Sequence, residues 1–390
     1  MKKLYLSITL FLSLFTYSQN YVGLYVNNFK DIIGNQVAET ELLSYAQSNG
    51  FNYLILYNLT YIHNNIFNID NINSSQPLAN FISNAKTNYG ILQVAAVGEK
   101  NSSFDKIKVY NSFYPSNPEK RFDVFNLEFE YWNDSKTQTG GYYCSTYLQP
   151  NGYTCNRTGA FNFYNNQLMM MHSYGQENNI IAETYIGYVD QNEADQIAQN
   201  TNRILVHYYR QSDVYNNGNS IYQYPSSQPD RIKMLALGNS VTVMPIFSAR
   251  PNHMYNWLQQ PHPLSQPYAT WQNGQNGFNS QTGNWVNNVS LDGYVWHRYS
   301  DLLQISQALD VNDFLTAENP FIYYNDKNKK LEFVNIPENT PIAIFNLLGQ
   351  KIVDFKKNDN KDLSNFKKGV YVVKAILKNN KIYTKKIIIR

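Results

Sequence analysis

The chain has 390 residues, 33 of them tyrosine, and a formal net charge of +3; that length exceeds one ordinary domain and suits a barrel of roughly 250 residues with a smaller companion. Residues 321–390 hold 15 basic and 6 acidic side chains, whereas the remainder holds 17 and 23, which argues against nucleic acid as a partner of the larger part. After the first twenty residues no segment reaches about 18 consecutive apolar positions, so a membrane-spanning helix is not expected there.

Met1 to Ser18 combines Lys2 and Lys3, an apolar run from Leu4 to Phe15, and the small residues Thr16 and Ser18, the pattern of a secretory signal. Eight strand-like runs follow: Tyr21 to Asn27, Tyr53 to Tyr57, Ile91 to Val97, Phe122 to Tyr131, Ile180 to Tyr188, Ile204 to Tyr209, Val241 to Phe247 and Gly293 to Tyr299. Several are nearly continuous in apolar residues, as parallel strands covered on their outer face require. Helix candidates alternate with them, among them Glu41 to Gly50, a segment opening at Ser75, Phe161 to Glu177, Glu193 to Asn200, Asp230 to Leu237 and Asp301 to Leu309. Eight such units predict a (β/α)₈ barrel over residues 20–315, with the active site at the carboxyl ends of the strands. An open doubly wound sheet is the competing architecture.

In the fourth run, Asn126, Glu128 and Glu130 share one face while Phe125, Leu127 and Phe129 take the other. A half-buried strand often turns polar residues to water, but in a closed barrel the same alternation aims two acids into one site. Asp123 has the opposite parity and is read as structural. Glu183, late in the fifth run, offers an alternative partner for Glu130 or Glu128 in a two-carboxylate mechanism. His207 is read as a packed barrel residue. The six histidines show no His-Glu-x-x-His spacing, so neither a metal nor another cofactor is expected. Cys144 and Cys155, the only cysteines, are expected to form a disulfide once the chain is exported.

The run Asp123-x-x-Asn126-x-Glu128-x-Glu130-Tyr131 resembles the fourth-strand motif of family eighteen glycoside hydrolases, the chitinase-like barrels. The resemblance implies Glu130 as general acid and Glu128 as the residue that orients the substrate's N-acetyl group, with Asn126 replacing an Asp. Val206-His-Tyr-Tyr209 is similar to the family's sixth strand and implies a catalytic role for Tyr208, with Tyr209 replacing an Asp. Val243 to Arg250 is similar to the seventh strand, and Gly293-Tyr-Val-Trp296 to the eighth, whose Trp floors the sugar site. The implied substrate-binding set is Trp296, Trp132, Tyr131, Tyr209, Glu183 and Arg250. The expected activity is hydrolysis of N-acetylglucosamine-containing glycans. A weakly catalytic lectin-like barrel and a surface adhesin are the alternatives. Tyr142, Tyr143, Tyr147 and Tyr153, beside the expected disulfide, read either as a subsite wall or as a small aromatic core under a loop.

Residues 316–390 read as a small all-β sandwich whose lysines alternate with strand formers. This tail resembles the C-terminal sorting domain of the type IX secretion system, through Asn346-Leu-Leu-Gly-Gln-Lys-Ile and Leu363 to Tyr371. That resemblance implies the secretion machinery as partner and a secreted or cell-surface destination.

Overall fold

The computed structural model describes residues 20–223, 229–260, 262–306, 321–325, 328–334, 336–346, 349–359, 361–377 and 382–389. The expected signal segment and the junction near residues 316–320 lie outside them. The chain divides into two compact units, residues 1–305 and 306–390.

The first unit is a closed parallel barrel. Its strands are β1 (Tyr21–Val26), β2 (Tyr53–Leu56), β3 (Gln93–Gly98), β4 (Val124–Leu127), β5 (Ile181–Ile186), β6 (Arg203–His207), β7 (Val241–Ser248), a three-residue β8 (Val289–Leu291) and β9 (Gly293–His297). Strands β1 to β7 pair in sequence order, and β9 closes the ring between β7 and β1. Strand β8 pairs only with the start of β7. It is separated from β9 by Asp292, whose N–H donates to the Val243 carbonyl. Gly293 has φ +111°, and a Cβ there would stand 1.9 Å from the Tyr21 carbonyl oxygen, so glycine is required where β9 docks on β1.

Period-two alternation sends one residue set into the barrel and the other against the helices. Ile55, Ala95, Val124, Leu205, Met244 and Val295 fill the interior. The outer layer is built from helices with legible ends. Asn35 caps helix Gln36–Ser48 by accepting from the N–H groups of Val37 and Ala38. Asp190 and Glu193 form a capping box at helix Gln191–Gln199, and Glu193 also takes Arg157 of helix Arg157–Asn178 at 2.7 Å. The predicted helix at residues 161–177 thus begins four residues earlier, at Arg157, because Asn156 caps it through Gly159 N–H.

Beneath the carboxyl ends the interior is ionic. Arg203 donates from Nε to Glu183 Oε2 at 2.5 Å and from Nη1 to Asp292 Oδ2 at 3.0 Å. Tyr53 Oη and Asn126 Nδ2 both donate to Glu183 Oε1, each at 2.6 Å. The Arg203 guanidinium lies 4.7 Å from the Tyr53 ring centre. Two charges removed from water in this way are tolerated because they pair with each other and most of their remaining donors and acceptors are engaged within the barrel, Arg203 Nη2 being the exception.

The second unit holds a hairpin, β10 (Phe321–Asn325) with β11 (Lys330–Val334), and an antiparallel sheet of β12 (Pro341–Asn346), β13 (Lys351–Lys356), β14 (Gly369–Ile376) and β15 (Ile382–Ile389). The sheet order is β13-β12-β14-β15. Ile322, Leu331, Ile342, Ile344, Val373 and Ile387 pack as one core.

Candidate functional site

At the carboxyl ends of the strands lies a cavity of about 300 Å³. Its acidic wall is the extension of β4. The strand proper stops at Leu127, three residues before the expected acid pair is complete, yet Glu128 N–H still donates to the Gly98 carbonyl at 2.8 Å. Alternation persists through the next residues, so Glu128, Glu130 and Trp132 all face the cavity. Tyr25, Tyr57 and Tyr185 complete this side, and His207, Tyr209, Arg250, His253 and His297 form the opposite one.

The two acids have opposite environments. Glu128 accepts from Tyr57 Oη at 2.5 Å. Burial dominates its titration, pushing it up to about 7, against the opposing hydrogen bonds of Tyr57 and Tyr25 and with a further upward push from Glu130. Burial also raises Glu130, but its donors prevail and hold it below the ordinary carboxylate value. Those donors are Lys136 Nζ at 2.6 Å and Asn133 Nδ2 at 2.9 Å on Oε2, with Tyr185 Oη at 2.8 Å on Oε1. Of the two, Glu128 is thus the acid pushed toward its protonated form and Glu130 the one held toward its ionised form, whereas the sequence pointed to Glu130 as general acid.

Trp132 stands edge-on to Tyr185, with ring centres 5.5 Å apart, and lies 6.0 Å from His207. The fit is close at Gly187: a Cβ there would come within 2.3 Å of His207 Nε2 and 2.6 Å of the Trp132 indole. Burial and nearby positive groups keep His207 well below its ordinary pKa and hold His297 at about 3, so both rings are neutral. Among the described residues no group of three or more His, Cys, Asp or Glu side chains is placed to hold a metal ion.

Of the residues expected at the site, Glu128, Glu130, Trp132, Tyr209 and Arg250 meet at the cavity. Five do not. Asn126 is fully buried below it, donating to Glu183 and, at 3.4 Å, to Tyr25 Oη. Glu183 has no solvent exposure and belongs to the ion pair with Arg203, which removes it as a catalytic partner. Tyr208 points outward, its hydroxyl on Asp230 at 3.1 Å and its ring 5.8 Å from Trp271. Tyr131 also faces the helices, donating to the Tyr188 carbonyl and packing 4.8 Å from Tyr164. Trp296 is fully buried behind the wall, donating to the Leu264 carbonyl at 3.0 Å and packing on Phe247. In each of the last three cases the next residue, Tyr209, Trp132 or His297, is the one that lines the cavity.

Tyr25, Tyr57 and Tyr185 were missed because tyrosine is an ordinary strand former; inward parity at a strand end is the signal that marks them. Asn133 and Lys136 lie beyond the strand, at the N-cap and inside the short helix Asp134–Thr137, whose placement depends on the rest of the barrel. Cys144 and Cys155 are disulfide-bonded, with Cα atoms 5.1 Å apart. The loop they close packs as an aromatic core: Tyr143 stacks on Phe129 at 4.1 Å, and Tyr147 stacks on Phe163 at 6.0 Å. Tyr147 and Tyr142 donate to Glu99.

Residues 322–390 match the family model of the secretion system C-terminal sorting domain, which indicates secretion or a cell-surface location. No helix among the described residues is long and apolar enough to cross a membrane. No curated protein matches the chain. Among solved structures it is similar to a GH18 chitinase from Pseudoalteromonas aurantia, at 14% identity over 74% of this chain and 100% of that one, with a TM-score of 0.39. It is similar to a modular endo-beta-1,4-mannanase from Cellulomonas fimi, at 8% identity over 95% and 94%, with a TM-score of 0.41. A further likeness is to the YdjI aldolase from Escherichia coli K12, at 9% identity over 77% and 82%, with a TM-score of 0.37. Likenesses at this level span glycosidases and aldolases and assign no chemistry.

Proposed function

We propose that the barrel hydrolyses N-acetylglucosamine-containing glycans outside the cell, with Glu128 as proton donor and Glu130 as its ionised partner. The observation that supports this is two acids on one wall of an aromatic cavity in opposed environments, Glu128 raised by burial and Glu130 held down by Lys136, Asn133 and Tyr185. Glycoside cleavage needs such a pair, one carboxyl that protonates the leaving oxygen and one carboxylate that stays charged. Glu128 delivers its proton as the C1–O bond breaks and the electron pair leaves with the oxygen. The acetamido oxygen of the same sugar attacks C1 while Glu130 holds the acetamido N–H. Water then opens the cyclic intermediate and returns a proton to Glu128. Tyr57 steadies the donor, and Trp132 and Tyr209 offer ring faces to the sugar. Schiff-base chemistry of the aldolase kind is not favoured, since no lysine lines the cavity among the described residues.

One observation favours a second reading, a barrel that binds glycans with little turnover: Lys136 and Asn133 already occupy Glu130 Oε2. The two readings are separated by turnover of unactivated oligosaccharides and of aryl glycosides, whose leaving groups need no proton. Glu128→Gln is expected to lose about 10²–10⁴-fold on the oligosaccharide and to recover the first step, release of the aryl alcohol, on the aryl glycoside. Glu130→Gln is expected to fail on both. Rescue of Glu130→Gln instead would make Glu130 the acid, and binding without cleavage in the wild type would establish the second reading.

A further inference from the structure

Arg250, just past β7 and solvent-exposed at the cavity mouth, lines the cavity without a counter-charge among the described residues. Among the described residues its guanidinium has no ion pair and no hydrogen-bond acceptor, although its own N–H reaches Ser248 Oγ at 3.4 Å. The neighbouring arginines are engaged. Arg298 pairs with Asp301 at 2.8 Å, Arg231 donates to the Gly187 carbonyl at 2.7 Å, and Arg203 is closed into the barrel interior with Glu183. The acids across the cavity do not compensate Arg250. Neither pairs with it: Glu130 takes Lys136 at 2.6 Å, and Glu128 accepts from Tyr57 at 2.5 Å. His253, whose Nδ1 engages Ser248 Oγ at 2.7 Å, stands beside Arg250 on the same wall and lies 4.8 Å from the Tyr209 ring centre. A second hollow, of about 370 Å³, continues from Tyr209 past Arg210 and Asn252.

We propose that this cavity selects glycans whose bound sugar carries an anionic group, a carboxylate or a sulfate ester, held by Arg250. The inference rests on the hydrolase reading of the same cavity and narrows its substrate class. A neutral pyranose offers the guanidinium only uncharged oxygen acceptors, whereas a carboxylate or sulfate meets its planar donor fork with stronger, charge-assisted bonds. Within a partly enclosed cavity the unbalanced charge also draws anions toward the site. Tyr209, which lines both hollows, gives the same sugar a ring face to rest on.

The test is calorimetric titration of the full chain carrying Glu128→Gln, which blocks turnover, with oligosaccharides of equal length. One is a neutral N-acetylglucosamine oligomer, one alternates N-acetylglucosamine with glucuronate, and one is a sulfated N-acetylglucosamine oligomer. At least one anionic oligomer is expected to bind about tenfold or more tightly than the neutral one at low salt, the advantage shrinking as salt is added. Which of the two does so identifies carboxylate or sulfate. Arg250→Gln is expected to abolish the preference and Arg250→Lys to retain part of it. Equal affinities for neutral and anionic oligomers, or a preference that survives Arg250→Gln, would overturn the inference. If the wild type cleaves the neutral oligomer and no anionic preference exists, the hydrolase reading stands without this refinement. If no oligomer is bound or cleaved, both fall.

Discussion

The carboxyl of Glu128 ties the stability of the barrel to pH. Burial raises it from an ordinary value of 4.5 to about 7. Between those two values the folded chain holds a proton that the unfolded chain has released, so the native state loses stability as pH rises through the window. Below 4.5 both states are protonated and the effect vanishes; above 7 the loss is complete. A difference of that size corresponds to about 3 kcal/mol. Glu128→Gln keeps an oxygen for the Tyr57 hydroxyl but has no charge to bury. The variant is expected to match the wild type at pH 4.5 and to exceed it by up to about 3 kcal/mol at pH 8, or about 5 °C in melting temperature for a barrel of this size. Asp230, raised to about 6 by burial, shifts both proteins alike and drops out of the comparison. Thermal and urea melts of both proteins at pH 4.5, 6 and 8 measure the divergence. Parallel curves across this range, or a variant less stable at pH 8, would refute the placement of the proton on Glu128.

Trp296→Ala is expected to cost about 3–5 kcal/mol of stability in urea melts, because its indole fills the layer behind the wall; Trp132→Ala is expected to leave folding nearly unchanged and weaken glycan affinity by about 1–2 kcal/mol in titrations. The opposite pattern would return Trp296 to the sugar site. Glu183→Ala leaves Arg203 without its closest carboxylate and is expected to cost about 3–5 kcal/mol, with a loss below about 1 kcal/mol in the same melts contradicting the ion pair's structural role. Deleting residues 321–390 is expected to hold the barrel in the periplasm, as fractionation would show, while the purified barrel keeps its melting temperature. Surface export of the truncated chain would reject the sorting role, and a large drop in melting temperature would reject the division into separate folding units.

The sequence by itself determined what depends on local alternation and spacing. Eight alternating units were enough for the barrel, the two cysteines for the disulfide, and the tail's strand pattern and motifs for an antiparallel sorting domain. The placement of Glu128 and Glu130 on one face was legible as well, because the side-chain period of an extended chain is two whatever surrounds it. Depth, strand register and charge environment were decided only by the tertiary structure. Glu183 and Glu130 both lie late in apolar runs, yet β5 continues past Glu183 to Ile186 and leaves it sealed with Arg203, while Glu130 lies beyond its strand at the open end. Parity could not be anchored in the aromatic pairs Tyr208–Tyr209 and Tyr131–Trp132 until closure of the ring turned one member of each pair inward. The protonation of the two acids was least legible of all. Tyr57 reaches Glu128 from 71 residues away and Tyr185 reaches Glu130 from 55, and desolvation, the largest influence on Glu128, exists only once the whole barrel has closed around it.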